Sequence, residues 1–430
     1  MSGSNETDPA PVPAEGASGL RPGAEALESG GASRLRGVEL LGLGLLTVLL
    51  LVPVTLPVAA LRDLVQERFG VSELQTSLFM SINMVGAVLC APLAGALADA
   101  VGRRKLVIVG AILVDALCLW AMCLPIPFTW FLAIRFVEGC AHISALSLLL
   151  SLSADRAPAS SKGKIMGALG AGISLGVALG APLGGQLVDK AVLLPLQVGA
   201  AILVVAALVS VGLLTDVATK TRRASLRAVA AMATRDKSML VPLAFAFADR
   251  FTVGFFVTTF PLYMKRMFEA SGSEIGFLLM LFLLPFSLLS YPVGRLSERL
   301  SRTRLVGGGS LFYGLLLMTL GLWSADSLPW LMFGLGVLSA VMFVPSLVLV
   351  LDLATPQTRS TSLGGFNAAG SLGFIVGPLV GGLVSQTVAG SFGWQAGYGS
   401  AFAVAGAVEV LCVLLVLRAM RRLVREGRTS

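Results

Sequence analysis

Stretches of about 20 apolar residues, each long enough to cross the hydrocarbon core of a bilayer, recur along this chain. Twelve can be counted, at 38–61, 77–98, 106–124, 128–153, 164–187, 193–214, 239–264, 274–297, 305–324, 328–351, 362–387 and 396–417. A soluble fold has no interior large enough for them. Charged residues make up only 13% of the chain, where about 25% is usual for a soluble domain. The expected fold is an all-α polytopic membrane protein, because in lipid each spanning segment has to satisfy its own backbone polar groups. The 49 glycines and 20 prolines fit helices that pack closely and bend.

The net charge of +8 is distributed as an orientation signal rather than as a nucleic-acid surface. Lys and Arg cluster in the tails and in alternate loops, near 34–36, 103–105, 156–164, 220–237, 295–304, at Arg359 and from Arg418 onward. The other loops hold only Arg62, Arg68, Lys190, Lys265 and Arg266. The positive-inside rule then predicts that the charged loops and both termini are cytoplasmic, and the inner (plasma) membrane is the expected location. The five cysteines fall inside spans, without disulfide or metal-ligand spacing. Residues 1–36, rich in Pro, Ala, Gly, Ser and Glu, are expected to form a disordered tail, not a signal peptide, leaving the first span as the insertion signal.

The chain repeats itself. The loop GALADAVGRRK, Gly95 to Lys105, returns as GRLSERLSRTR, Gly294 to Arg304. Asp155 precedes GVALGAPLGG, and Asp352 precedes GFIVGPLVGG; these landmarks are displaced by 197 to 199 positions. Shared register implies two pseudo-symmetric six-helix bundles, at 37–214 and 239–417. They are joined by a polar, basic linker at 215–238 and followed by a basic tail at 418–430. Residues 224–232 of the linker are amphipathic and would suit either the inner leaflet or a solvated connector. Two similar bundles rocking about a midplane site give alternating access.

The loop has its own physical logic. Gly95 and Gly102 permit close helix contact and a tight turn. Asp99 sits where it faces a helix N-terminus, which favours an anion. Asp99 is expected to pair with Arg103 and Arg103 with Asp155, with Arg104 and Lys105 adding charge. The second copy offers Glu298, Arg302 and Asp352, with Ser301 in place of the glycine and a weaker latch expected. The repeated glycines and prolines, Gly176, Gly180, Pro182, Gly184 and Gly185, then Gly373, Gly377, Pro378, Gly381 and Gly382, read as helix-packing positions.

With these residues the chain resembles the major facilitator superfamily over 37–417. Gly95, Asp99, Gly102, Arg103, Arg104 and Lys105 match its first signature at every key position. LAIRFVEGC is similar to the second through Arg135 and Gly139, with Glu138 for the usual Gln. The fifth span looks like the antiporter signature, although its proline is Pro182 and Ala181 holds the expected place. The first span, with Pro53, Val54 and Pro57, is loosely similar to a drug-exporter signature. The resemblance implies twelve spans, a loop network that latches the outward-open state, an arginine at 135 contributing to coupling, and a single working subunit.

Ionisable residues inside spans each cost about 2.5–3.5 kcal/mol on insertion scales. Arg135, Glu138 and His142 stand at i, i+3 and i+7 on one helical face. A proton site is one reading, and a self-neutralising Arg135–Glu138 pair with a packed His142 is the other. Asp249 and Arg250 are adjacent and point about 100° apart, so at least one is expected to seek a partner across helices. That makes either a second acidic site for protons or a cationic substrate, or an inter-helix pair. Asp115 and Glu409 have no evident partner, and Asn83 and Asn367 are weak candidates for substrate contact. Phe and Met crowd the seventh and eighth spans, as a lipophilic cavity or as lipid-facing packing.

The expected function is secondary active transport, most simply proton-coupled efflux of a lipophilic or amphiphilic small molecule, with a proton or other coupling ion and membrane lipid as the other partners and no nucleic acid. Uptake of a metabolite such as a sugar, organic acid or siderophore is the alternative, and a transport-inactive receptor the alternative from another class. The chain carries no Walker A or HExxH pattern, and its one GxSxG, Gly172 to Gly176, lies within an apolar helix. Enzyme activity, a metal and a cofactor are not expected.

Overall fold

The computed structural model describes residues 37–156, 162–216, 237–354 and 358–425. The terminal tails, most of the linker including 224–232, and the Asp99 and Arg359 side chains lie outside the described residues. The described chain is helical, as α1 (Gly37–Ala59), α2 (Glu73–Val101), α3 (Arg104–Ala121), α4 (Phe128–Arg156), α5 (Lys162–Val188), α6 (Leu194–Leu213), α7 (Leu240–Phe268), α8 (Gly272–Leu296), α9 (Arg302–Met318) and α10 (Leu328–Leu353). A last helical run, Arg359–Arg425, breaks at Gly393 into α11 (359–392) and α12 (394–425).

Gly393 has φ 81° and ψ 165°, a conformation open to glycine. Among the described residues, ten runs are long and apolar enough to cross a membrane. Splitting the last and adding α3, which Arg104, Lys105 and Asp115 make too polar for that test, gives the expected twelve.

Helix ends explain where the expected boundaries shift. Ser72 and Ser271 each start a helix with a reciprocal cap: the serine hydroxyl accepts the backbone N–H of Gln75 or Glu274, whose side chain accepts the serine N–H. These caps start α2 and α8 before their apolar runs begin. Gly102, at φ 69°, ends α2, its N–H donating to Ala98 O at 3.0 Å. The ninth span ends early at Met318, and Leu320–Leu322 turn tightly beyond it.

The two halves pack in the same way. In the first, α5 lies on α1, α4 on α2 and α3, and α6 on α3; in the second, α11 lies on α7, α10 on α8 and α9, and α12 on α9. The α1–α5 seam is a ladder of four-residue steps. Gly172, Gly176, Gly180 and Gly184 face the backbone of Gly44, Val48, Val52 and Leu56, and a methyl group at any of them would meet it. Gly373 and Gly377 meet Phe247 and Phe251 on α7, and Gly381 meets Phe255 and Thr259. Without a hydrophobic drive between helices in lipid, such backbone proximity supplies the packing. Outward, Leu117, Trp120, Leu208, Phe312, Leu415 and other large apolar side chains are exposed. Such a surface suits the lipid of a bilayer.

Gly185 and Gly382, one residue beyond the ladders, turn to the opposite half. Gly185 meets Gly272 on α8, and Gly382 meets Glu73, Leu74 and Ser77 on α2. Pro182, displaced from the family position, meets Gly276 across the same seam, whereas Pro378 packs on Gly254 within its own half. From residue 37 onward the described residues form one compact body, its halves joined mainly through α5 with α8 and α2 with α11.

Candidate functional site: a buried charge cluster and a closed far end

Four ionisable side chains meet inside the first half, where α2 and α4 approach closely. Gly139 lies against the Asn83 backbone and Gly86 against Phe136 and Cys140. Arg135 and Glu138, 0% and 1% exposed at their side chains, approach to 2.9 Å. The arginine nitrogens make no aligned hydrogen bond, and the guanidinium lies 4.4 Å over the Phe79 ring. Its charge is therefore held by a carboxylate on one side and an aromatic face on the other. Asn83 donates its amide N–H to the same Glu138 oxygen.

One turn further along α4, His142 Nδ1 lies 3.1 Å from Asp115 Oδ2 on α3. Glu138 is in electrostatic reach of both Asp115 and His142. The structure thus unites Arg135, Glu138 and His142 as expected and adds Asp115, which had no assigned partner. The signal was depth: Asp115 and His142 stand about 16 and 21 Å from the charged-loop ends of neighbouring antiparallel helices, at 1.5 Å per residue.

In the second half, the adjacent Asp249 and Arg250 reach each other as well as groups on other helices. Arg250 Nε curls back to 3.7 Å from Asp249 Oδ2, because its long stem spans the angular offset. The two groups face different surroundings. Asp249 is buried among α7, α9 and α12, whereas the Arg250 side chain is 41% exposed, on the inner side of the bundle. Arg250 lies 4.8 Å over Phe343, which continues to Phe286 at 5.7 Å and Phe366 at 6.3 Å. These four side chains come from α7, α10, α8 and α11. Most of the other crowded phenylalanines, Phe245, Phe251, Phe255, Phe256 and Phe260, are packed in the core.

The Major Facilitator Superfamily pattern matches residues 43–248 and again 242–429. The chain belongs to this superfamily. Over 134 residues it is 32% identical to multidrug resistance protein 2 of Bacillus subtilis (strain 168), and over 135 residues 27% identical to multidrug resistance protein 1 of that organism. These matches cover 31% of the chain and about a third of each relative (33% and 34%).

The fold is that of solved superfamily transporters. A bacterial homologue of the human lysosomal transporter Spinster, inward-facing and unoccupied, aligns with TM-score 0.78 at 15% identity, over 92% of this chain and 99% of that one. A D-xylose–proton symporter aligns with TM-score 0.69 at 17% identity, over 88% and 95%.

In this superfamily transporter the charged-loop network differs from the expected one in its partners. Arg104 pairs with Asp155 at 2.5 Å and is nearly buried, while Arg103, just before α3, is exposed. The first helical residue of α3, not the one before it, points at α4. Lys105 ties α3 to the end of α6, its backbone N–H donating to Asp216 Oδ1 and its Nζ to Val211 O, both at 2.6 Å. These contacts satisfy groups that helix ends leave open. The second half repeats the pair as Arg302 with Asp352, while Glu298 is exposed and contributes no ion pair among the described residues.

At the opposite, far end lie contacts that the sequence did not reveal. Glu73, 1% exposed, accepts Arg266 Nε at 3.2 Å and Nη2 at 2.9 Å, and the Tyr398 hydroxyl at 2.7 Å, all on Oε1. Arg266 also lies 3.8 Å over Trp394. Lys265 reaches Asp63 at 3.2 Å, and the Leu74 N–H donates to Gln386. Asp189, just past α5, accepts the N–H groups of Gly272 (2.7 Å) and Ser273 (2.9 Å) at the start of α8. Burial raises its pKa, but the hydrogen bonds from Ser273 and Gly272 and the charge of Lys265 outweigh that and hold it below the usual aspartate range. The deepest cross-half bond runs from Ser81 to Ile375 O at 2.8 Å. The halves are therefore clamped at the far end.

Proposed function

We propose that this transporter exports a lipophilic or amphiphilic small molecule in exchange for protons, by alternating access across the inner membrane. The observation that carries the reading is the Asp115–His142 and Glu138–Arg135 cluster, with Asn83 on the same Glu138 oxygen. Two carboxylates and the chain's single histidine in one buried place make a site where a proton redistributes charge. A purely structural pair would need neither Asp115 nor His142.

The bias of Lys and Arg places the charged loops in the cytoplasm. The far-end clamp then corresponds to an inward-open state. Arg250, with rings from three other helices, offers an aromatic and cationic patch for an amphiphile. The multidrug relatives, matched over a third of their length, support efflux. Proton-coupled uptake of a polar metabolite is the second reading.

Proteoliposomes carrying a pH gradient separate the two. Tetraphenylphosphonium, a neutral lipophilic drug and a sugar are added in turn, and internal pH is followed. Dissipation by the lipophilic compounds, lost in Glu138→Gln and His142→Gln, is expected. Dissipation by the sugar alone would favour uptake. No proton movement with any compound, from protein that remains folded, would reject proton coupling.

A further inference from the structure

Glu409 stands midway along α12, 0% exposed, with no hydrogen bond to either carboxyl oxygen. The place is tightly built. A Cβ on Gly314 of α9 would come within 2.7 Å of Gly406 O and 2.9 Å of Glu409 Cβ, so the two helices touch almost backbone to backbone beside it. Tyr313, on α9, is also 0% exposed, and its hydroxyl lies within reach of Thr252 without an aligned bond. Asp249 and Thr252 on α7, Ser310 on α9 and Cys412 on α12 complete the surroundings.

The hydroxyls of Thr252 and Ser310 lie within reach of the Glu409 carboxyl but aim their protons elsewhere. Thr252 donates to the Asp249 carbonyl at 2.8 Å and Ser310 to the Met342 sulfur at 3.6 Å. Among the described residues, the groups that act on Glu409 include no cation, and Arg250 is held 3.7 Å from Asp249 with 41% of its side chain exposed. Ionised, Glu409 would thus be a buried charge without a counter-ion among the described residues, a cost of several kcal/mol. A bound proton removes that charge and gives the carboxyl an O–H to donate.

We propose that Glu409 is a proton-binding site of the second half, exchanging its proton with Asp249 through the hydroxyls of Tyr313 and Thr252. One O–H bond breaks at Glu409 and one forms at Asp249. Each relaying hydroxyl accepts a proton and gives one up, so Glu409 ends ionised and Asp249 neutral. The use of this site in a transport cycle rests on the proton-coupled reading above; its occupancy by a proton does not. Asp249 links it to α7 and the interior gap, whereas the Asp115–His142 cluster serves the first half. Tyr313 corresponds in the repeat to Asp115, at the displacement of 198 that also relates Arg302 to Arg104. The two halves thus place a polar group at one equivalent position and build different sites around it.

The test is infrared difference spectroscopy on the purified protein in lipid vesicles at neutral pH, in potassium buffer. The expected result is a carbonyl stretch of a neutral carboxylic acid, slow to respond to D2O, that is lost in Glu409→Gln. In Tyr313→Phe, which keeps both the carboxyl and its packing and serves if Glu409→Gln does not fold, the band shifts in frequency. A Glu409→Gln spectrum that superimposes on the wild type, or no shift in Tyr313→Phe, overturns the proposal. So does a band that sodium or lithium abolishes, since the site would then hold an alkali cation. Failure of proton-coupled transport itself would appear in the proteoliposome assay and leave this band in place.

Discussion

Replacing Glu73 by Gln should open the far end of the molecule. Glu73 Oε1 accepts two N–H groups of Arg266 and the Tyr398 hydroxyl, all from the opposite half. A glutamine oxygen can keep the tyrosine bond, but it loses the charge that strengthens the two arginine bonds. Charge-assisted bonds contribute about 1.5–3 kcal/mol net and neutral ones about 0.5–1.5, so the loss is about 1 kcal/mol per bond, or about 2 in all. Arg266 is 24% exposed at its side chain and rehydrates when released, which spares the larger penalty of a stranded buried charge. At 1.4 kcal/mol per tenfold, the ratio of far-end-closed to far-end-open molecules falls by about 30-fold.

Spin labels at Lys190 and Glu269, exposed sites on the two halves beside the Asp189–Gly272 contact, report that ratio as a distance distribution. The five native cysteines must first be replaced. A distribution unchanged by Glu73→Gln would refute the reasoning. So would a double-mutant cycle with Arg266→Gln that shows no coupling.

Three further outcomes follow from the geometry. Arg104→Gln should lower stability by about 2 kcal/mol through loss of the Asp155 pair, while Arg103→Gln stays within about 0.5; thermal unfolding in detergent compares them. Gly184→Ala drives a methyl group into the Leu56 carbonyl and should cost about 1–3 kcal/mol by overpacking, whereas Gly170→Ala, which meets nothing within 4 Å, should be tolerated; yield of folded protein reads both. The Asp189 contact should be intact above the ordinary aspartate pKa and weaken as pH falls through its depressed value, because only the carboxylate is favoured by the α8 N–H groups. The Lys190–Glu269 distance should then lengthen in acid in wild-type protein, and Asp189→Asn should abolish that pH response.

The glycine ladders were legible because close approach of two helices leaves a four-residue spacing of small residues, and the repeat showed it twice. Arg135 and Glu138 were legible because i, i+3 neighbours share a face wherever the helix lies. Which of Arg103 and Arg104 reaches Asp155 was not, since that depends on the residue at which α3 begins. The Glu73–Arg266 and Asp115–His142 pairs depend on the relative depth of different helices, which no single span encodes. The Ser72 and Ser271 caps were visible as Ser-x-x-Gln and Ser-x-x-Glu and could have placed both helix starts. Crowded phenylalanines could not be sorted, because an apolar side chain suits core, lipid and cavity alike.

Gly184 and Gly185 occupy consecutive positions on α5, yet one touches α1 of its own half and the other α8 of the opposite half. On alternating access the first contact is permanent and the second is made and broken in every turnover. Gly381 and Gly382 divide the same labour on α11. A methyl group added at 184 would then be felt as lost stability, and one added at 185 as a changed rate of switching. On the proposed mechanism, neighbouring codons would govern two separable traits, how well the protein is assembled and how fast it cycles, and mutations at one need not trade against mutations at the other.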